Sequence, residues 1–229
     1  MGELPVLEVI DLSYTYPDGQ RALRGVDLHV AAGEKVGLVG DNGAGKSTLL
    51  LHLNGILRAP ERAHGQAAVR VAGQPLNDKT VRAIRAQVGL VFQYPDDQLF
   101  SPTVFDDVAF GPLNMGLAEA EVRERVAWAL QQVGAHGYEH RMPQHLSLGE
   151  KKRVAIATVL AMRPAILALD EPSAGLDPGG RRALLALLSS LPQTMVIATH
   201  DLAMVRALCS RVVVLEAGSV VVDGPVAVL

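Results

Sequence analysis

The sequence predicts an α/β fold built on a mainly parallel sheet, with an antiparallel β portion at its start and a mostly helical insertion near its middle. Three observations predict it. Short apolar runs rich in Val, Ile and Leu alternate with stretches of helical spacing, the pattern of doubly buried strands joined by helices. The opening residues read instead as two longer strands flanking a Pro17-Asp18-Gly19 turn. From about Tyr94 to Leu146 no buried-strand run occurs, and Pro95, Pro102, Pro112 and Pro143 punctuate the chain.

In order along the chain, Leu7 to Tyr16 and Leu23 to Val30 form the antiparallel pair. Val36 to Val39 is the first buried strand, and Lys46 to Leu57 is the helix behind it. Val88 to Phe92 is the second buried strand and leads into the helical insertion. There Glu119 to Val133 sets Val122, Val126, Leu130 and Val133 on one helical face. A helix from Glu150 to Met162 follows, then strand Ile166 to Leu169, helix Arg181 to Leu188, and strands Met195 to Ala198 and Val212 to Leu215. The organisation is one domain over residues 1–229, with a core of about 1–93 and 163–229 and a helical subdomain of about 94–162. No internal repeat or low-complexity linker interrupts it.

Composition narrows the classes of function. Hydrophobic residues make up 49% of the 229 and charged residues 20%, enough to bury a sizeable core. Aromatics are only 4% and the net charge is -3, which argues against a stacking or phosphate-backbone surface for nucleic acid. Cys209 is the single cysteine, so no internal disulfide forms and a reducing compartment is expected. The opening MGELPVLEVIDL lacks the basic-then-apolar pattern of a secretory signal. No apolar stretch reaches the roughly 18 residues that span a bilayer, and a membrane role has to come through a partner.

The chemistry gathers at strand ends, where open parallel sheets bind ligands. Val36 to Val39 runs into Gly40-Asp41-Asn42-Gly43-Ala44-Gly45-Lys46-Ser47-Thr48, a phosphate loop. Its glycines let backbone amides surround phosphate oxygens, and the helix that follows directs its positive end at the same anion. Lys46 is expected to reach the β/γ-phosphates and Ser47 to hold Mg²⁺. Val88 to Phe92 ends at Gln93, whose amide is suited to Mg²⁺ and water, although a loop glutamine is usually unremarkable. Ile166 to Leu169 ends at Asp170 and Glu171. A carboxylate after an apolar strand is costly unless a metal or its water shell satisfies it. This makes Asp170 a metal candidate and Glu171 the group that positions and deprotonates water. Met195 to Thr199 ends at His200, placed to hydrogen-bond the γ-phosphate or the attacking water. Ser147-x-x-Glu150 has two readings: a capping box on the helix through Met162, or a second phosphate-seeking helix end completed by another copy of the chain.

Together these segments resemble the ATP-binding cassette (ABC) ATPase family over essentially the whole chain. GDNGAGKST is similar to its Walker A motif, LSLGE (Leu146 to Glu150) to its signature, and AILALDEP to its Walker B with the catalytic glutamate. SAGLD (Ser173 to Asp177) resembles its D-loop, Gln93 its Q-loop glutamine and His200 its switch histidine. Tyr16 resembles the aromatic that stacks on adenine, with Tyr14 the rival. The resemblance implies a P-loop NTPase cassette with a RecA-like parallel-sheet core, an antiparallel β subdomain and an inserted helical subdomain. It implies a head-to-tail dimer, with itself or a homologous ATPase, in which two ATP molecules lie between one copy's phosphate loop and the other's Ser147 and Gly149. Glu150 and Asp177 are implied as further nucleotide-binding residues. Catalytic roles then fall to Glu171, His200 and Gln93, and Mg²⁺ to Ser47, Gln93 and Asp170. The signature departs from the commoner LSGGQ at Leu148 and Glu150 and keeps the Ser and the second Gly.

FQYPDDQLF (Phe92 to Phe100) and LSLGEKKRVAIATVLAM (Leu146 to Met162) resemble the energy-coupling-factor branch, especially the ATPase subunit of cobalt importers. That implies a peripheral place on the cytoplasmic face of the cell membrane, docked on transmembrane scaffold and substrate-binding subunits, with no nucleic-acid partner. Nickel or a vitamin is the alternative cargo. An ABC ATPase acting on nucleic acid is a further alternative, without the long coiled-coil insertion or second cassette of that class. His136, His140 and His145 read as a solvated cluster rather than a cobalt site. Members of this branch often carry a further segment after the cassette, and here the sequence ends at Leu229.

Overall fold

The computed structural model describes residues 5–58 and 67–228. They fall into two compact units. One is drawn from Met1–Leu90, Ala165–Asp170 and Pro192–Leu229, the other from Val91–Pro164 and Glu171–Leu191.

Two sheets build the first unit. Strands β1 (Leu7–Thr15), β2 (Arg21–Val30), β4 (Val69–Val71) and β5 (Gln74–Pro75) form an antiparallel sheet in the order β2-β1-β4-β5. The turn between β1 and β2 falls at the expected Pro17-Asp18-Gly19, with the Tyr16 amide donating to the Gln20 carbonyl at 2.9 Å. The second sheet takes β3 (Lys35–Val39), β6 (Val88–Val91), β7 (Ile166–Asp170), β8 (Thr194–Ala198), β9 (Arg211–Glu216) and β10 (Ser219–Pro225) in the order β10-β9-β3-β8-β7-β6. Pairs β9-β3, β3-β8 and β8-β7 are parallel; β10 closes one edge antiparallel. The interior strands read as near-continuous apolar runs because both their faces are covered. Val36, Leu38, Ile166, Leu167, Ala168, Leu169, Val196 and Ile197 are all fully buried. Each such Leu or Ile contributes about 1.5–3 kcal/mol by leaving water. Helix α1 (Lys46–Leu53) adds Leu49 and Leu53 to this core, and α2 (Val81–Gln87) and α7 (Leu202–Leu208) complete the unit.

The second unit is helical, with α3 (Val104–Asn114), α4 (Glu119–Gln132), α5 (Leu148–Leu160) and α6 (Pro178–Ser190). The buried face of α4 holds Val122, Val126 and Leu130 of the stripe read from spacing, together with Ala129, and Val133 is buried as the C-cap just past the helix. Helix α3 keeps Pro112 inside it. Burial of Val104, Val108, Ala109 and Pro112 at i, i+4, i+5 and i+8 outweighs the hydrogen bond that proline forgoes. Helix α5 ends at Leu160, two residues before the expected Met162. Arg163 turns into the left-handed region at φ 56° ahead of Pro164, which disfavours helical geometry in the residue before it. Residues Glu171–Leu191, assigned to the core by the sequence reading, group instead with the helical segment. The Leu148 side chain covers Gly175, where a Cβ would stand 2.9 Å from Leu148 Cδ2, so the loop before α6 is packed on the start of α5.

Candidate active site

In the first unit, strand register aligns three of the expected strand ends. Leu38 pairs with Ala198 and Ala198 with Asp170, and the Thr199 amide donates to the Leu38 carbonyl at 3.0 Å. The phosphate loop, Asp170 and the Thr199-His200 turn therefore leave the sheet at one level of its carboxyl edge. His200 is exposed there, followed by Asp201, whose carboxylate caps α7 by accepting from the Met204 amide at 3.0 Å.

The phosphate loop is shaped by what presses on it. A Cβ at Gly40 would stand 2.2 Å from the Leu215 carbonyl oxygen, so only glycine lets β3 turn there against β9. Gly45 opens α1 at φ 105°, in the left-handed region that favours glycine. No side chain caps α1 and its first turn holds no acid. Its amides and positive end thus remain directed at an incoming anion. Lys46 is buried, and its ammonium donates to the carbonyls of Gly40 at 2.7 Å and Asp41 at 3.0 Å, which folds it back across the loop. Asp41, Asn42, Gly43 and Ser47 are exposed, while Ala44 and Thr48 are buried.

The two tyrosine candidates are joined to this loop. Tyr16 Oη lies 3.0 Å from Thr48 Oγ1, and the Tyr14 ring packs edge-on against Tyr16 at 5.0 Å and against His52 at 4.7 Å. His52 Nδ1 lies 2.7 Å from the Thr48 carbonyl, and burial lowers its pKa, so this ring is a neutral brace under α1. Tyr16 is tied to the loop itself, whereas Tyr14 packs beneath it.

The remaining candidates lie in the second unit. Glu171 follows β7 directly, is buried, and has φ 42°. Its carbonyl accepts from the Ala174 amide at 3.1 Å and from Lys152 Nζ at 3.2 Å. Lys152 Nζ also donates to the Gln93 carbonyl at 3.1 Å. One ammonium thus joins the backbones of two expected site residues. Asp177 caps α6, its carboxylate accepting from the Gly180 amide at 2.7 Å.

Ser147 and Glu150 form the full capping box at the start of α5. The Glu150 carboxylate accepts from the Ser147 amide at 2.8 Å, from its hydroxyl at 2.7 Å and from the Tyr138 hydroxyl at 2.8 Å. Arg141 stacks on the Tyr138 ring at 3.9 Å and lies 3.6 Å from Glu150. The Ser147 hydrogen bonds, then Tyr138 and Arg141, lower the Glu150 pKa from 4.5 to about 2. A depressed carboxylate pKa gives stability that is fully present above pH 4.5 and is lost as pH falls toward about 2. The stability difference between wild type and Glu150→Gln, followed by denaturant unfolding, is expected to stay constant from pH 7 to about 4.5 and to change only below it. A difference that varies instead between pH 5 and 7 would contradict this.

In the first unit, Ser47 and Asp170 carry oxygen donors, the preference of a hard cation such as Mg²⁺. Gln93, in the second unit, carries an amide oxygen. Among the described residues no group of three or more His, Cys, Asp or Glu is placed to hold a metal. His136, His140 and His145 are exposed and form no such group.

Sequence reasoning passed over three contributors: Lys152, Gln98 and the Tyr138–Arg141 pair. Lys152 reads as surface because it sits in Lys151-Lys152-Arg153. The signal that places it inside is register, since Lys152, Ile156 and Leu160 fall on one helical face and all are buried. The other two act through folds of the chain that spacing does not reveal.

Comparison with known proteins shows the family and the fold. A family model described as ABC transporter matches residues 23–174. The energy-coupling factor transporter ATP-binding protein EcfA of Methanothermobacter thermautotrophicus is 51% identical over 222 residues, spanning 96% of this chain and 70% of that protein. The structure of cbiO1 from Clostridium perfringens, part of the ABC transporter complex cbiONQ, is similar with a TM-score of 0.84 and 42% identity, covering 98% of this chain and 90% of that one. A dimeric post-hydrolysis state of the ATP-binding cassette MJ0796, bound to ADP and Pi, is similar with a TM-score of 0.82 and 27% identity, covering 96% and 98%.

Proposed function

This chain belongs to the ABC transporter family, and from that membership we propose that it energises cobalt uptake as the ATP-hydrolysing subunit of an energy-coupling-factor importer. ATP binding and hydrolysis coupled to transport follow from the family itself. The cargo and the assembly are our reading, supported by the likeness to cbiO1 and by the segments Phe92 to Phe100 and Leu146 to Met162.

Each residue then has a task. The loop amides and Lys46 bind the phosphates, and Tyr16 takes the adenine. Ser47, Asp170 and Gln93 would hold Mg²⁺, which would supply positive charge against the phosphates. Glu171 accepts a proton from the water whose oxygen attacks the γ-phosphorus, while the bond from that phosphorus to the bridging oxygen of ADP breaks. His200 donates a hydrogen bond to the γ-phosphate. Ser147 and Gly149 of a second copy close over the triphosphate at the start of α5, with Glu150 fixing the cap and Asp177 opening α6 beside them. Closure joins the two copies and hydrolysis releases them.

The observation that carries the transport reading is an exposed aromatic pair after Gln93. Phe100 is 64% and Phe110 52% exposed, with their rings 5.2 Å apart, and Leu113 and Tyr94 are exposed as well. Such side chains leave water when a partner covers them, and a membrane scaffold subunit suits both the position and the family. No helix among the described residues is long and apolar enough to cross a membrane itself. Phe100→Asp with Phe110→Asp is expected to abolish co-purification of the membrane subunits while the variant still binds ATP. Undiminished co-purification removes this face from the docking role. Uptake of labelled cobalt, nickel and vitamins by the reconstituted complex tests the cargo; uptake of nickel or a vitamin without cobalt overturns the cobalt assignment.

A further inference from the structure

Lys152 lies one turn into α5 and is only 5% exposed, although its neighbour Lys151 reaches out to an ion pair with Asp96 at 2.6 Å. An ammonium is taken out of water only where its N–H groups are met. Here they are met by the carbonyls of Gln93 at 3.1 Å and Glu171 at 3.2 Å. Glu171 needs such support, because φ 42° is a sparsely populated conformation for a residue other than glycine and costs about 1–3 kcal/mol. The Gln93 segment has a second tie to the same helix. Gln98 accepts from the Phe92 amide at 3.1 Å and donates to the Ala155 carbonyl and Thr158 hydroxyl, both at 2.7 Å. The backbone on both sides of Gln93 is thus fastened to α5, and α5 through Lys152 to Glu171.

Resting on the ATPase reading above, we propose that Lys152 is a positioning residue that holds the Glu171 backbone in its left-handed turn, so that the aim of the catalytic carboxylate is set jointly by α5 and the Gln93 segment. A shift of α5, which carries Ser147 at its start, or of the segment bearing Phe100 reaches Glu171 through this ammonium. The side chain acts on hydrolysis and makes no contribution to nucleotide binding.

Two variants and a double-mutant cycle in the full chain test it. Lys152→Met keeps the unbranched stem and removes every donor. Lys152→Gln keeps two N–H donors on a stem one bond shorter. Misplacing a catalytic group by about 1 Å costs up to roughly 10²-fold in rate. Lys152→Met is therefore expected to lower kcat by about 30-fold with KM for ATP within about twofold, and Lys152→Gln to recover most of that loss. Because Lys152 acts through Glu171, neither substitution is expected to slow a Glu171→Gln protein further. The proposal is overturned if kcat is unchanged, if KM rises in step with the loss, if Lys152→Gln is no better than Lys152→Met, or if the losses multiply with Glu171→Gln. Should Lys152→Met fail to fold, Lys152→Gln in the same cycle decides, with a threefold or greater loss that vanishes on Glu171→Gln expected and a multiplying loss overturning it. Near-normal turnover in Glu171→Gln alone would instead remove Glu171 as the catalytic base, the reading on which this proposal rests, and so separates the two failures.

Discussion

Glu171→Gln is expected to keep ATP affinity while hydrolysis falls by about 10²–10⁴-fold, the range for loss of a positioned general base. Glutamine matches the shape of the carboxylate and cannot take a proton from water. Glu171 directly follows β7, whose first four residues are buried, and is itself buried, so the substitution removes a charge from a confined position without opening a cavity. With ATP and Mg²⁺ supplied, the closed pair forms and is not released, and size-exclusion chromatography is expected to show a long-lived dimer. A strictly monomeric variant, or one with near-normal turnover, would remove Glu171 from its role.

Ser147→Arg is expected to abolish turnover and to leave the ATP affinity of the single chain within about twofold, because the isolated chain binds nucleotide with its own phosphate loop. Ser147 is exposed, and an arginine there has room in the isolated chain. In a closed dimer the same side chain meets the phosphate loop and nucleotide of the second copy. Loss of the N-cap adds a separate cost of about 1 kcal/mol in stability. Fluorescent-nucleotide titration and phosphate release measured on one preparation distinguish these effects. Loss of nucleotide binding by the monomer would place Ser147 in a site within one chain.

The buried strands were legible because a doubly covered parallel strand must be apolar along its whole length, as Ile166 to Leu169 and Met195 to Ala198 are. The phosphate loop was legible because glycine, lysine and serine at fixed spacing are demanded by the chemistry of one anion. The capping box was legible for a similar local reason, since Ser147 and Glu150 bond each other across three residues. Short strands such as Val69–Val71 and Gln74–Pro75 were not, because two or three residues carry too little pattern to be read. The same holds for α2 and α7, each of seven residues.

What the sequence determined by itself is what local spacing encodes: the glycine-rich loop between β3 and α1, the acidic pair where β7 ends, and the capped start of α5. What only the tertiary structure decided is how residues far apart in the chain hold one another. Lys152 reads as one more surface lysine until folding buries it between the Gln93 and Glu171 carbonyls, and the φ of 42° that aims Glu171 is set by the fold. The reason is physical. Spacing reports which side of an element faces inward, whereas the partner met there depends on which other elements pack against it, and a buried charge is tolerable only once those partners are in place.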